Sequence, residues 1–463
     1  MTGKDVVIIG GGLSGALVAL QLARQWQSSQ LRITIVEKRS DVGPGLAYTV
    51  PSDLCKLNVP ADQMGAFPED PAGFFNWVKL RERSITGDQF VTRRLYGEYL
   101  KSLLEELRRA PPAQLVFTTI KDEAIDISPL DAACRYTVTL ASGSTLKADL
   151  CALALGNIPR ASFAGLRDQK VLLSPYDQDT YRGISECQRI LIIGSSLTAV
   201  DAVLEAKGRG FRGEYTLLSR HGRLPLAHEA VQQSKLEIDP RLGAQSEVAR
   251  LGLNGLTRLV ISEALRLGSS QPVIAALRPN LHVIWSRFSM REKSRFLRLL
   301  RPIWEIHRHR IPRQHHDTLN QLIEQRKLSL VSGRIRAVSA KLSQVEVKLS
   351  EAHAIRGVNG KEVSGMTTVW FDRAILCAGP EGDLAKVEMP LIKELLHKGG
   401  LRVGTLGLGV SISYNFFGAG SPHSIALIGP LQREDLWEIT AVREIRAEAA
   451  KIAKEWSEAK ELN

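Results

Sequence analysis

The chain has 463 residues, 44% of them apolar and 24% charged. That balance excludes wholesale disorder and leaves room for roughly two to four domains. Lys and Arg number 61 against 49 Asp and Glu, a net charge of +12 that points to an anionic ligand, a nucleic acid or a membrane surface. The five cysteines (Cys55, Cys134, Cys151, Cys187 and Cys377) contain no C-x-x-C pair and have no histidine partner at zinc spacing. This argues against a disulfide scaffold, a redox dithiol and a cysteine-ligated zinc site, and fits a reducing compartment.

The most apolar stretch, residues 6–23, is long enough to mimic a short span or a signal segment. Three consecutive glycines and then Gly15 make it a poor spanning helix. It reads instead as a buried strand (6–9), a glycine turn and a helix (13–26). The expectation is a cytoplasmic protein without a membrane span. The segment V-V-I-I-G-G-G-L-S-G fits G-x-G-x-x-G through Gly10, Gly12 and Gly15. The first glycine permits a tight turn, the second lets a pyrophosphate approach the backbone, and the third lets helix and strand pack closely. Gly11, Leu13 and Ser14 complete a turn whose free N–H groups and helix dipole favour phosphate. A second strand (32–36) ends in Glu37, 22 residues after Gly15, with Lys38 beside it. An acid there accepts hydrogen bonds from a ribose hydroxyl, so the unit suits FAD or NAD(P).

Residues 146–157 (L-K-A-D-L-C-A-L-A-L-G-N) read as a polar edge, a buried strand and Gly156, returning to the first sheet. At residues 189–201, R-I-L-I-I-G-S-S-L-T-A-V-D repeats the first motif in degenerate form. Gly194, Ser196 and Ala199 stand at the same offsets as Gly10, Gly12 and Gly15, with Ser195, Leu197 and Thr198 between them. The next strand (215–219) ends in Ser-Arg-His, and Arg220 falls about where the ribose acid would sit. An arginine there suits a 2′-phosphate, favouring NADPH over NADH. A surface arginine ending a strand is the alternative.

Residues 221–330 read as mostly helical and hold 18 Lys and Arg, 9 Asp and Glu, and 7 of the 10 histidines. Leu297, Leu300, Ile303 and Trp304 mark an apolar stripe, and Arg291, Arg295 and Arg298 share another face. His307, His309, His315 and His316 are poorly spaced for a metal and lack a carboxylate cluster, so a solvated basic face is expected. Residues 369–380 (V-W-F-D-R-A-I-L-C-A-G-P) have the shape of 146–157 and would precede the return to the first domain. Residues 424–430 form a further buried strand ending in Gly429-Pro430. A helical pattern follows from about 435 to 462, and its start near Trp437 and Thr440 could aim N–H groups at a flavin.

Nine segments, spread over nearly the whole chain, carry a resemblance: G-P-G-L-A-Y (43–48), L-N-V-P-A-D-Q-M (57–64), R-R-L-Y-G-E-Y-L (93–100), G-S-S-L-T-A-V-D (194–201), S-R-H-G-R-L-P (219–225), R-P-I-W-E-I-H-R-H-R (301–310), L-G-L-G (406–409), I-G-P-L (428–431) and L-W-E-I-T-A-V-R-E-I-R (436–446). The chain resembles bacterial FAD/NAD(P)-binding flavoproteins with two dinucleotide domains, distant relatives of the flavin-containing and N-hydroxylating monooxygenases. The resemblance implies FAD in the first unit and NAD(P)H in the second. It places Asn58 near the flavin edge, where an amide offers both donor and acceptor; a turn-capping role is the alternative. Relatives that make a stable oxygen adduct tend to carry F-x-G-x-x-x-H before the second motif. Phe163-Ala164-Gly165 is present here, and the histidine is not.

The expected architecture is α/β: two Rossmann-like domains, the second inserted in the first, with a helical insert. The expected boundaries are 1–160 for the first part of the FAD domain, 186–368 for the NAD(P)H domain with its insert at about 225–330, and 369–463 for the return. The expected function is hydride transfer from NAD(P)H to flavin and on to a small-molecule substrate, a partner or oxygen. A small-molecule monooxygenase and a nucleotide-binding sensor with a lipid- or nucleic-acid-binding insert are the alternatives. The basic insert lacks the aromatic interleaving of a nucleic-acid site. No residue stands out as a catalytic acid or base.

Overall fold

β1 (Lys4–Ile9) is buried from Val6 onward on both faces, the pattern of a strand inside a parallel sheet. A computed structural model describes residues 3–27, 29–49, 52–130, 136–158, 160, 171–229, 237–341, 344–356, 367–417 and 424–458. α1 (Leu13–Gln25) buries every residue from Ser14 to Leu22, as a helix apolar nearly all round must. β2 (Leu31–Glu37) returns parallel to β1, with Ile9 opposite Val36. After α2 (Gly73–Lys79) and α3 (Arg93–Arg109), β3 (Leu115–Lys121) joins β2. A small antiparallel sheet of β4 (Ala124–Pro129), β5 (Tyr136–Leu140) and β6 (Thr145–Ala148) precedes β7 (Leu150–Leu153). The polar edge that read as part of one strand is thus β6, a separate strand in a different sheet.

The second unit repeats this plan. β8 (Leu172–Leu173) and β9 (Arg189–Ile193) lead to α4 (Leu197–Gly208) and β10 (Glu214–Ser219). The insert runs through α5 (Pro240–Gly243), α6 (Gln245–Arg250), α7 (Gly252–Leu267), α8 (Gln271–Leu277), α9 (Leu281–Arg287) and α10 (Met290–Arg295). A π-helical segment (Phe296–Leu300), α11 (Arg301–Arg308) and α12 (Arg313–Glu324) complete it. Pro302 sits in the first turn of α11, where its missing N–H costs nothing. β11 (Leu328–Lys341), β12 (Gln344–Arg356), β13 (Thr367–Phe371) and β14 (Arg373–Leu376) follow. The sheet order is β13-β12-β11-β10-β9-β14-β8, parallel except where β12 and β13 fold back as a meander.

The chain then adds α13 (Pro390–His397), the pair β15 (Leu401–Val403) and β16 (Val410–Ile412), β17 (Ile425–Leu427) and α14 (Val442–Glu458). β17 completes the first sheet, β17-β7-β1-β2-β3, all parallel. Two compact units result: Met1–Pro51, Val59–Ile158 and Glu381–Asn463 form one, and Ser52–Asn58 with Pro159–Pro380 the other.

Three expectations change. The chain re-enters the first unit at Glu381 and not near Phe371. Residues 369–380 stay in the second sheet, because β14 pairs with β9 and places Leu376 opposite Ile193. That is the counterpart of β7, which places Leu153 opposite Ile9, so the likeness of the two sequences reflects equivalent positions in two sheets. Of the apolar stripe, Leu297, Leu300 and Trp304 are half-buried and Ile303 is exposed.

Within the insert, Arg310 is 3% exposed and acts as a hub. Its guanidinium donates to Ala227 O (2.8 Å), Glu229 Oε1 (2.7 Å) and Ser270 Oγ (2.9 Å). Glu229 also accepts from the Ser269 hydroxyl. His307 Nδ1 lies 2.7 Å from Ser270 Oγ, while His309 pairs with Glu305 and His316 with Asn320. Arg310→Ala should destabilise the protein by about 2–3 kcal/mol, below the 3–5 for a fully buried pair because Glu229 is one-third exposed. Urea denaturation of the variant checks this.

Candidate functional site

Both units build the same turn, and both build it around a carbonyl. Gly10 has φ +101° and Gly194 φ +128°, regions that side chains rarely adopt. A Cβ at residue 10 would come closer than 3.0 Å to the Ala154 carbonyl, and one at residue 194 equally close to the Cys377 carbonyl. The hydrogen bonds correspond. Gly10 N donates to Val36 O (2.9 Å) and Gly194 N to Leu218 O (2.8 Å). Ala154 N donates to Ile9 O, and Cys377 N to Ile193 O, both at 2.8 Å.

Each turn ends at an uncapped helix. Gly12 and Ser196 hold the N-cap positions of α1 and α4, neither cap receives a side-chain hydrogen bond, and neither first turn contains an acid. The leading N–H groups, at Leu13, Ser14 and Gly15 and at Leu197 and Thr198, are therefore of the kind an anion satisfies. A Cβ at Gly15 would overlap the Gly10 carbonyl. The second unit fits Ala199 at this position, fully buried. These backbones fit the pyrophosphate of a dinucleotide.

The first turn gathers more residues than its motif. Gly43 N donates to Gly11 O (2.6 Å), and Gly45 approaches Gly12 so closely that a Cβ on either meets the other's Cα at 3.2 Å. This loop rests on α3: a Cβ at Gly97 would lie 3.0 Å from Pro44 Cβ, and the Tyr48 and Tyr96 rings meet edge to face at 4.7 Å. Burial pushes the Tyr48 hydroxyl up to about 12, against the Arg93 charge that lowers it. Arg93 and Arg94 open α3; Thr92 is the cap, and Arg94 pairs with Glu98. Gly429 (φ +91°) abuts Ser14 Oγ at the other side of the turn. Gly43 and Gly45 were missed as site residues. Their signal was the G-P-G spelling itself, which requires positive φ.

The strand ends differ. Glu37 is buried; Gly11 N donates to its Oε2 (2.7 Å), and Arg39 N and Nε donate to its Oε1. Lys38 pairs with Glu123 (3.3 Å) at the surface. In the second unit the register sets Ser219, and not Arg220, in the place of Glu37: Ile193 faces Leu218 as Ile9 faces Val36. Arg220 corresponds to Lys38. Ser195 Oγ donates to Ser219 Oγ (2.9 Å), which also accepts from Gly222 N (2.9 Å). That bond ties the glycine turn to the strand end as Gly11 N–Glu37 does in the first unit.

Arg220 stands in a field of like charge. Its pKa is lowered, first by desolvation and then by Arg301, Arg160 and Arg334. His221 is lowered by desolvation and by Arg220, Arg223 and Arg334.

Asn58 belongs to the second unit. Residues Ser52–Asn58 fold with the second unit, where His228 Nε2 donates to the Asn58 carbonyl (3.0 Å) and Cys55 Sγ contacts Asp201 O. The carbonyl can only accept, so Nε2 carries the proton. Gly156 has φ +66° and open space where a side chain would stand. α14 starts at Val442, after Trp437 and Thr440. Phe163-Ala164-Gly165 lies outside the described residues. No group of His, Cys, Asp and Glu among the described residues suits a metal ion. No described helix is long and apolar enough to cross a membrane.

Residues 7–158 match the FAD-NAD(P)-binding family. The first unit thus contains an FAD-NAD(P)-binding domain, over about a third of the chain. No curated protein matches the chain. Among solved structures it shares its fold with L-lysine 6-monooxygenase from Pseudomonas syringae (16% identity, TM-score 0.62, 98% of this chain and 99% of that one). It is similar also to the reduced ornithine hydroxylase of Pseudomonas aeruginosa (14%, 0.61, 98% and 100%). The bacillithiol disulfide reductase of Staphylococcus aureus is a third (12%, 0.51, 100% of both).

Gly10→Ala and Gly194→Ala should each cost at least about 2 kcal/mol, since both the backbone and a carbonyl must move. Gly156→Ala, with space around it, should cost only about 1 kcal/mol. Chemical denaturation of the three variants tests the ordering.

Proposed function

We propose that the protein is an FAD-dependent oxidoreductase that takes hydride from NADPH and passes the electrons to a small organic substrate. The observation that carries this reading is the doubled glycine turn: two uncapped helix N-termini, each after a parallel strand, in a chain whose first turn lies in an FAD-NAD(P)-binding domain.

FAD is assigned to the first turn. Gly10 to Gly15 hold its pyrophosphate, Glu37 accepts from its ribose through lone pairs left beside the Gly11 and Arg39 bonds, and Gly43, Gly45 and Gly429 close around the same turn. NADPH is assigned to the second, with Gly194, Ser195, Ser196, Leu197 and Thr198 at its pyrophosphate. Small Ser219 in the acid's place removes the repulsion that a carboxylate would exert on a 2′-phosphate. Arg220, backed by Arg160, Arg301 and Arg334, supplies the opposite charge, and binding a phosphate relieves the repulsion among these arginines. The flavin supplies the hydride-accepting chemistry when bound, and the chain's part is to hold and orient both cofactors.

A second reading within this class is hydroxylation of a small amine. It is supported by the fold shared over the whole chain with an ornithine hydroxylase and a lysine monooxygenase. The missing histidine after Phe163-Ala164-Gly165 counts toward a plain reductase. Isotopic oxygen decides between them. Label from O2 in the product of an NADPH-dependent reaction supports hydroxylation, and its absence supports a reductase.

The purified protein should be yellow and oxidise NADPH. Arg220→Ala should raise KM for NADPH at least tenfold, the loss of roughly one charge-assisted contact, and change that for NADH less than twofold. Equal effects on the two would remove Arg220 from 2′-phosphate recognition, and colourless protein that takes up no FAD would sink the enzyme reading.

A further inference from the structure

The α10–α11 segment is amphipathic, yet α10, the π segment and α11 bury no apolar residue. Arg291, Arg295, Leu299 and Ile303 follow one another at four-residue steps through α10, the π segment and α11. All four are exposed, with Leu299 at 50% and Ile303 at 43%. Arg298 and Met290 (48%) are exposed on either side. Nearby α7 exposes a second apolar pair, Ile261 and Leu265, at 54% and 77%.

Among the described residues the ridge's charges are not neutralised. None of Arg291, Arg295 and Arg298 pairs with a carboxylate among the described residues. The acids of this segment are engaged elsewhere. Glu292 caps α10 and accepts from Leu253 N (2.9 Å), and Glu305 binds Arg301 and His309. A surface combining unpaired arginines with protruding aliphatic side chains needs an occupant that is both anionic and apolar.

We propose that this ridge docks the protein on an anionic lipid bilayer. The arginines meet headgroup phosphates, and Met290, Leu299 and Ile303 enter the acyl boundary, while the helix lies in the plane of the interface. Charge complementarity selects this occupant. A second copy of the chain would bring the same arginines against themselves. A nucleic acid would satisfy the arginines but leave the aliphatic tips with nothing to gain, and the ridge offers no aromatic face for a base to stack on. The docking is peripheral and independent of the catalytic reading.

The test is co-sedimentation of the full-length, FAD-loaded protein with vesicles. One set is equal parts phosphatidylglycerol and phosphatidylcholine, and the other is phosphatidylcholine alone. Retention on the anionic vesicles only, reduced by salt, is expected. Arg295→Ala with Arg298→Ala should lower the partition coefficient on the order of 30-fold, from two charges near the surface. Leu299→Ser with Ile303→Ser should lower it at least about tenfold at unchanged charge. All four positions are exposed, and melting curves matched to the parent protein establish the fold of both pairs. If one pair did unfold, the comparison of the two vesicle types on the parent protein still decides. Failure to bind the anionic vesicles, or equal binding to both sets, overturns the proposal. So does an unchanged partition for the serine pair, the result a purely electrostatic contact with nucleic acid or an acidic protein would give.

Discussion

A carbonyl oxygen beside each glycine turn is the constraint on which both units are built. Ala154 in one and Cys377 in the other press their carbonyls against the space where residues 10 and 194 would carry a side chain. Neighbouring parallel strands can be drawn in that tightly only where the turn between strand and helix has no Cβ. Once that is so, the strand, turn and helix leave the sheet at a fixed angle, and the first N–H groups of the helix point away from any internal acceptor. An uncapped helix N-terminus of this kind suits a phosphate without the help of a side chain.

That explains how much the second motif can lose and still form the same turn. Ala replaces the last glycine and Ser the middle one, yet Gly194 keeps its positive φ, its bond to Leu218 and its contact with Cys377. The substitutions fall at positions whose neighbours differ. In the first unit Gly12 is overlain by Gly45, which leaves a side chain little room, and Gly15 lies against the Gly10 carbonyl, which leaves none. Ser195 uses its extra atom, bonding Ser219 where the first unit uses a backbone N–H and a carboxylate. The chemistry at the two strand ends then diverges, an acid in one and a cluster of arginines in the other.

The positive charge is local in the same way. Much of the excess falls in residues 221–330, and the structure divides it by surroundings. Arg310 is buried and holds the insert together. Arg220 and Arg301 belong to the field at the strand end. Arg291, Arg295 and Arg298 face outward. One count on the sequence covers a structural, a strand-end and a surface population, which differ in burial and in partners.

The sequence by itself determined the strand-turn-helix units, their repetition and the acid that ends the first, because these follow from local spacing: buried runs, glycine offsets and helix starts. It also identified residues 146–157 and 369–380 as similar, without showing that each flanks the turn of a different sheet. Only the tertiary structure decided that, because strand neighbours are set by packing between segments far apart in the chain. The same reason governs the other corrections. Asn58 lies by contact in the unit of His228. Ser219 takes the place of Glu37 because strand register, and not residue counting across a helix of different length, sets equivalence. Gly43 and Gly45 join the first turn because a loop folds back over it. Ile303, one of an apolar stripe in the sequence, is exposed where Leu297, Leu300 and Trp304 of the same stripe are half-buried, a difference that packing and not spacing sets.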